Sequence, residues 1–272
     1  RIYKGNGVIF MKIMVCIKQV PGTSKVEVDE KTGVLKRDGV DSKMNPYDLF
    51  ALEAALQLRE KVGGSVTVLT MGPPQAEEMM RDAYTMGADD AVILSDRKFA
   101  GADVLATSYA LSQGITAIGD IDLIICGKQT TDGDTAQVGP AIAEHLGIPH
   151  AAWVSEIVDA DSESIQVKQD LVSVSQTSKI PYPCLITVDK DMCVPRLPSY
   201  LLQKQSKDRP VKIMTFEDMA DQNLSKYGLV GSPTAVEKMF APPEVEKQVY
   251  FDGDAKEKTK QLFDVLVNKK VI

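Results

Sequence analysis

Short apolar runs alternate with amphipathic stretches over most of this chain. Residues 13–17 form a β-branched apolar run that reads as a strand, broken by Lys18-Gln19-Val20-Pro21-Gly22. Residues 26–41 carry the polar alternation and the Lys-Thr-Gly turn of a surface hairpin. A helix follows, with Asn45 as its cap, Pro46 at its first position, Asp48 in its first turn, and Leu49, Leu52 and Leu56 on one apolar stripe. Residues 65–71 predict a buried strand stopped by Gly72-Pro73-Pro74. The helix after it carries Met79, Met80, Ala83 and Met86 and ends at Gly87. At helical spacing those methionines read as core. Then come a strand at 91–94, a helix over about 102–118, and a strand at 123–126. Strands alternating with helices imply one parallel sheet, so the loops after Ile17, Met71 and Cys126 open on one edge. The start of the Asn45 helix joins them there if the hairpin brings the chain back.

After Pro149 the pattern changes. Residues 153–158, 164–169 and 171–177 alternate as antiparallel strands do, and 184–188 is a further buried strand able to rejoin the sheet. Residues 192–202 form a proline-punctuated loop that spends Leu197, Tyr200, Leu201 and Leu202 on an exposed-looking segment. Beyond 207–210 regularity is low until a last helix at about 254–268. Its stripe of Ala255, Thr259, Leu262, Phe263, Leu266 and Val267 lacks a domain of its own to cover it. The expected organisation is an α/β domain over 11–206 and a C-terminal arm over 207–272 that wraps a partner subunit. Residues 1–10 read as a tag or upstream extension ahead of Met11.

Composition narrows the function classes. A chain of 272 residues, 44% hydrophobic and 25% charged, can bury a full α/β core. A net charge of −7 argues against nucleic acid, whose phosphates require clustered Lys and Arg. Cys16, Cys126, Cys184 and Cys193 form no Cys-x-x-Cys pair and read as reduced thiols of a cytoplasmic protein. Neither His145 nor His150 lies near a cysteine, which disfavours a His/Cys metal site. No apolar run is long enough to span a bilayer, and no signal-peptide cleavage site follows the first apolar run.

The stretch from Asp120 to Pro149 carries the candidate chemistry. Leu123 to Cys126 reads as a strand buried on both faces and ending at Gly127. A polar loop follows, and then a helix that opens near Asp134 or Thr135, with Val138, Ile142 and Leu146 four apart. Strand, glycine-containing loop and helix N-terminus together leave backbone N–H groups at the carboxyl end of a sheet, where phosphates are held. The plainer alternative is an ordinary βα connection in which Asp134 caps the helix. Spacing excludes a Walker A loop and a calcium loop. Because Asp132 and Asp134 repel phosphate, an anion here must rely on backbone amides, on the hydroxyls of Thr130, Thr131 and Thr135, and on cations from elsewhere.

Six ordered motifs carry a family resemblance: Cys16-Ile-Lys-Gln-Val-Pro, Met44-Asn-Pro-Tyr-Asp, Met71-Gly-Pro, Met86-Gly-Ala-Asp, Gly127-Lys-Gln-Thr-Thr-Asp-Gly-Asp-Thr-Ala-Gln-Val-Gly and Val194-Pro-Arg-Leu-Pro-Ser. In this order and spacing the chain resembles the β subunit of electron-transfer flavoprotein, in particular its electron-bifurcating branch, well over 11–204 and loosely beyond. The resemblance implies a Rossmann-like adenine-nucleotide-binding domain with a parallel sheet, a heterodimer with an α subunit, and electron exchange with an acyl-CoA dehydrogenase-type flavoenzyme. It places nucleotide contacts at Cys16, Asn45, Pro46, Tyr47, Asp48 and Met71, and along Gly127, Lys128, Gln129, Thr130, Thr131, Asp132, Gly133, Asp134, Thr135, Ala136, Gln137 and Val138. It places partner docking at Arg196, Leu197, Tyr200 and Leu201. Where the family's docking loop often reads Tyr-Pro-Ser-Leu, this chain reads Leu197-Pro198-Ser199-Tyr200.

Two readings of the nucleotide follow from the resemblance. In the bifurcating branch the site holds FAD, which takes a hydride from NADH and sends electrons to the α-subunit flavin and to a low-potential acceptor, ferredoxin or flavodoxin. In respiratory members it holds AMP with no redox role. The small residues Gly133, Thr135 and Ala136 leave room for a pyrophosphate, which favours FAD. An ATP-using enzyme of a related fold is disfavoured, since no Ser-Gly-Gly-x-Asp-Ser loop is present. No acid, base or nucleophile is arranged for catalysis, and hydride transfer to a flavin needs none.

Overall fold

The computed structural model describes residues 10–22, 42–237 and 249–272. Those up to 237 form one compact unit and 249–272 belong to a second. In the first unit the apolar runs become β1 (Met11–Cys16), β4 (Gly64–Met71), β5 (Asp90–Leu94), β6 (Leu123–Gly127) and β10 (Cys184–Val188). Two short strands, β2 (Gln19–Pro21) and β3 (Ser42–Met44), pair antiparallel and return the chain beside β1. The hairpin expected over 26–41 lies outside the described residues.

The main sheet runs β11-β5-β4-β1-β6-β10-β7-β8-β9, where β7 is His150–Ala160, β8 Ser164–Leu171, β9 Val174–Pro181 and β11 Lys212–Met214. From β11 to β7 all pairs are parallel, and β8 and β9 add antiparallel at the edge. The expected α/β class with a parallel sheet is therefore observed, and 184–188 does rejoin the sheet, between β6 and β7.

Alternation along the strands builds two cores. Ile13, Val15, Val66, Val68, Ile125 and Ile186 pack under α1 (Pro46–Val62) and α2 (Glu77–Met86). Met14, Leu69, Val92, Ile124 and Leu185 pack under α3 (Val104–Ile118) and α4 (Val138–Leu146). Burial on both faces is why the strands are continuous apolar runs. Met79, Met80 and Met86 lie in the core, as their spacing predicts.

Three expectations change. The chain between 207 and 237 is not part of an arm: β11 pairs with β5, and Met214, Phe216, Met219 and Tyr227 are buried against Phe99, Leu111 and Ile115. The domain therefore extends past the expected boundary at 206. The third antiparallel strand begins at Val174, because the chain turns between Leu171 and Val174. The proline-punctuated segment expected to be a loop is helical from Tyr200 to Gln205 (α5), with Ser199 as cap accepting from Leu202 N–H at 3.4 Å. In the second unit α6 (Ala255–Asn268) starts with a capping box in which Asp254 accepts from Glu257 N–H at 2.9 Å and Glu257 accepts from Asp254 N–H at 2.9 Å.

Candidate functional site

Because β4, β1 and β6 are parallel neighbours, Met71, Cys16 and Gly127 end on one edge of the sheet. The backbone N–H of Asn45 donates to Lys18 O at 2.8 Å, which sets the first turn of α1, with Pro46 and Tyr47, on that same edge. The expected cofactor residues are thus brought together, though they divide into groups that brace and groups left open.

Asn45 and Asp48 brace. Asn45 occupies the cap position of α1, yet its side chain does not cap the helix. Fully buried, it donates to Gln129 O at 2.9 Å and accepts from Thr131 N–H at 3.2 Å, tying the loop after β6 to the start of α1. Asp48 is 4% exposed and accepts from Lys18 N–H at 2.7 Å. Gly127 lies so close that a Cβ there would sit 2.3 Å from Asp48 Oδ1 and 2.8 Å from the Tyr47 carbonyl carbon. Lys18, absent from the expected site residues, reaches Asp132 Oδ2 at 2.7 Å and neutralises one of the two loop carboxylates. Its place in the Cys-Ile-Lys motif, just past β1, was the signal for it. Asp134 is engaged by the Gln129 side-chain amide.

Burial pushes the Asp48 carboxyl up to about 7, although the N–H groups of Lys18 and Gly127 and the Asn45 side chain favour the anion. The folded protein therefore holds this proton more tightly than the unfolded chain, whose reference value is 3.8. The associated stability is complete below that value and is lost as pH rises through about 7. Asp48→Asn is expected to remove roughly 2–3 kcal/mol of pH-dependent destabilisation between pH 5 and 8. Melting temperatures of both proteins across that range check it, and parallel pH slopes would contradict it.

The open part is the segment Thr135 to Val138. Asp134 and Ala136 adopt positive φ, 52° and 55°, and Gln137 returns to the helical region as the cap residue of α4. Left- and right-handed residues in succession turn consecutive N–H groups toward one concave spot, which suits an anion. Among the described residues, no protein acceptor takes the amides of Thr135, Ala136, Gln137 or Val138. This is also why α4 opens at Val138 instead of near 134 or 135, and why Asp134 is not its cap. Gly139 lets the first turn of α4 approach Thr187, where an added Cβ would lie 2.5 Å from Thr187 Cγ2. A phosphate or pyrophosphate fits this arrangement: four successive free amides, a helix N-terminus behind them, and one flanking carboxylate already paired with lysine.

Cys16 and Cys126 face each other across β1 and β6 and are buried, so they shape the floor of the edge. The neighbouring Cys16 and burial push the Cys126 thiol well up, which keeps it protonated. Cys184 and Cys193 are pushed up by burial to about 12 and about 11.

In the segment expected to dock a partner, Leu197, Tyr200 and Leu201 present their side chains to solvent, at 86%, 69% and 63% exposure. Arg196 instead turns inward. Its Nε and amide N–H donate to Glu53 Oε2 at 2.8 and 3.0 Å, its Nη2 to Glu53 Oε1 at 3.1 Å, and its Nη1 to Glu60 Oε1 at 2.6 Å. Glu53 is buried, yet Arg196 holds its carboxyl below the usual value. Arg196 thus clamps the segment onto α1, while Leu197, Tyr200 and Leu201 stay exposed. Glu53 escaped the sequence reading because a lone acid on an amphipathic helix reads as a solvated position.

A family model described as the electron transfer flavoprotein domain matches residues 32–220. The chain belongs to the electron transfer flavoprotein family. It is 44% identical over 265 residues to Electron transfer flavoprotein subunit beta of Thermoanaerobacterium thermosaccharolyticum, covering 96% of this chain and 100% of that one. To Protein FixA of Azorhizobium caulinodans it is 47% identical over 238 residues, 85% of each chain. To the Caffeyl-CoA reductase-Etf complex subunit CarD of Acetobacterium woodii it is 44% identical over 234 residues, 86% of this chain and 88% of that one. Within this electron transfer flavoprotein chain, the matched region runs from the segment leading into β3 to the loop after β11. It includes the whole candidate site except Cys16 and Lys18. Among the described residues, no helix is long and apolar enough to cross a membrane.

Proposed function

We propose that the chain is the β subunit of a heterodimeric electron transfer flavoprotein and that the loop between β6 and α4 holds FAD. The four free amides from Thr135 to Val138 are the observation that carries this reading. They offer a pyrophosphate several donors, and Gly133 lines the approach without a side chain. Bound FAD would supply the acceptor for a hydride from NADH and pass electrons on to the α-subunit flavin with an acyl-CoA dehydrogenase-type flavoenzyme, and to ferredoxin or flavodoxin. The chain's own part is to bind and orient: Asn45 and Asp48 fix the loop to α1, and Lys18 offsets Asp132. A relative named as a subunit of a caffeyl-CoA reductase complex favours the CoA-linked partner.

The competing reading is structural AMP at the same amides. The nucleotides released from the purified heterodimer decide between them. Two FAD per heterodimer support the proposal, and one FAD with one AMP overturns it.

The exposed side chains of α5 are assigned to the partner flavoenzyme. Tyr200→Ala is expected to remove an anchor worth on the order of 2 kcal/mol and weaken electron transfer to that enzyme about 30-fold. Reduction of the bound flavin by NADH should be unchanged. Steady-state and NADH half-reaction kinetics check this split, and equal losses would show that Tyr200 supports the fold. The apolar positions of α6, with Leu262 and Phe263 exposed, are assigned to the α subunit.

A further inference from the structure

Strand β7 carries an irregularity on the side of the site opposite Cys16 and Met71. In its pairing with β10, Ile186 faces Ala151 and Val188 faces Val154, so two steps on β10 match three on β7. The extra residue is accommodated at Trp153, whose φ is 61°. A bulky aromatic residue in the left-handed region is uncommon and costs conformational free energy. The surroundings hold it there: Trp153 N–H donates to the Thr187 hydroxyl at 3.0 Å, and the Gln169 side chain donates to Ala152 O at 2.8 Å. Thr187 is the residue against which Gly139 packs the first turn of α4.

Bulges of this kind re-aim a side chain. Here the indole is half-buried, outside both hydrophobic cores, with its ring centroid 4.6 Å from Lys128 Nζ. Lys128 begins the phosphate loop, and its ammonium is also held by Asp189 Oδ2 at 2.8 Å. Core packing therefore does not explain why the chain's single tryptophan occupies a strained position. A flat, polarisable surface beside a cation, next to a set of anion-binding amides, matches a planar heteroaromatic ring joined to a phosphate.

We infer that Trp153 is a binding residue of this site and forms the wall against which the second planar ring of a dinucleotide lies. This rests on the proposed FAD reading, which sets the adenylate on the Cys16, Asn45 and Met71 side of the amides. The other half of the dinucleotide then extends toward β10 and β7. AMP has no second half and leaves the indole uncontacted. The bulge, Thr187 and Lys128 together keep the ring surface in place before the ligand arrives.

The test compares FAD and AMP affinities, measured by calorimetry, for the full chain in complex with its flavoprotein partner after this site has been freed of nucleotide. Trp153→Ala is expected to weaken FAD about tenfold and to leave AMP within twofold of wild type. Trp153→Phe, which restores a flat ring, should recover most of the loss. Equal weakening of both nucleotides would assign Trp153 to the fold, and unchanged FAD affinity would remove it from the site; either result overturns the inference. Wild-type protein that binds AMP but no FAD here would instead overturn the FAD reading itself, a failure visible without any variant.

Discussion

Cutting the chain after Lys207 is expected to unfold the nucleotide domain, whereas cutting after Glu237 is expected to leave it folded. The first cut removes β11 and uncovers the edge of β5. It also removes Met214, Phe216, Met219 and Tyr227, each no more than 5% exposed. Tyr227 alone packs its ring 5.7, 5.4 and 5.1 Å from Phe99, Tyr109 and Phe216. At roughly 1.5–3 kcal/mol per buried side chain, the loss is roughly 6–12 kcal/mol, comparable with the whole stability of a typical domain. The second cut takes away only residues of the other compact unit, α6 among them. Thermal melting of the two shortened chains beside the full one checks this. A cooperative transition near the full-length temperature for the 207 product would contradict the placement of β11 in the domain.

Gly127→Ala should damage both the fold and the site. Its Cβ would fall 2.3 Å from a buried carboxylate oxygen and 2.8 Å from backbone of α1, and neither is the free end of a flexible side chain. The first turn of α1 must move away, breaking the Asp48 bond to Lys18 N–H and the Asn45 bonds to Gln129 and Thr131. Overpacking of this kind costs about 2–3 kcal/mol, a fall of roughly 5–10 °C in melting temperature for a domain of this size. Bound nucleotide should be lost as well. Calorimetric melting together with nucleotide content checks both effects, and retention of both would mean that α1 does not need this contact.

Much of this architecture could be read from residue order, because strands buried on both faces and helices with one apolar stripe leave different periods in the sequence. The alternation up to Pro149 sets Cys16, Met71 and Gly127 on one edge, while Asn45 joins them only through the pairing of β2 with β3, which the alternation leaves open. α4 starts later than the sequence predicts although Thr135, Ala136 and Gln137 are ordinary helix residues by propensity. Only the positive φ of Asp134 and Ala136 keeps them out of the helix. The edge strand β11 escaped notice because three residues, Lys212, Ile213 and Met214, are too few to show a period of two. The resemblance places Arg196 among the docking residues, and nothing in its sequence position reveals the buried Glu53, 143 residues away, that turns it inward. Trp153 gave no local sign at all, since its orientation comes from a register shift against β10.

The central claim is that the amides beyond Gly133 hold the pyrophosphate of FAD, and Gly133→Val tests it most directly. A Cβ at 133 would meet only the Thr130 hydroxyl, at 3.4 Å, so the branch point of the added side chain is accommodated without a backbone shift. Its bulk should act on whatever approaches the loop from outside. Flavin content of the purified heterodimer, measured with its melting temperature, is therefore predicted to drop from two FAD to one while the melting temperature of the nucleotide-free protein stays unchanged. Two FAD retained in a fully folded Gly133→Val heterodimer would contradict the account.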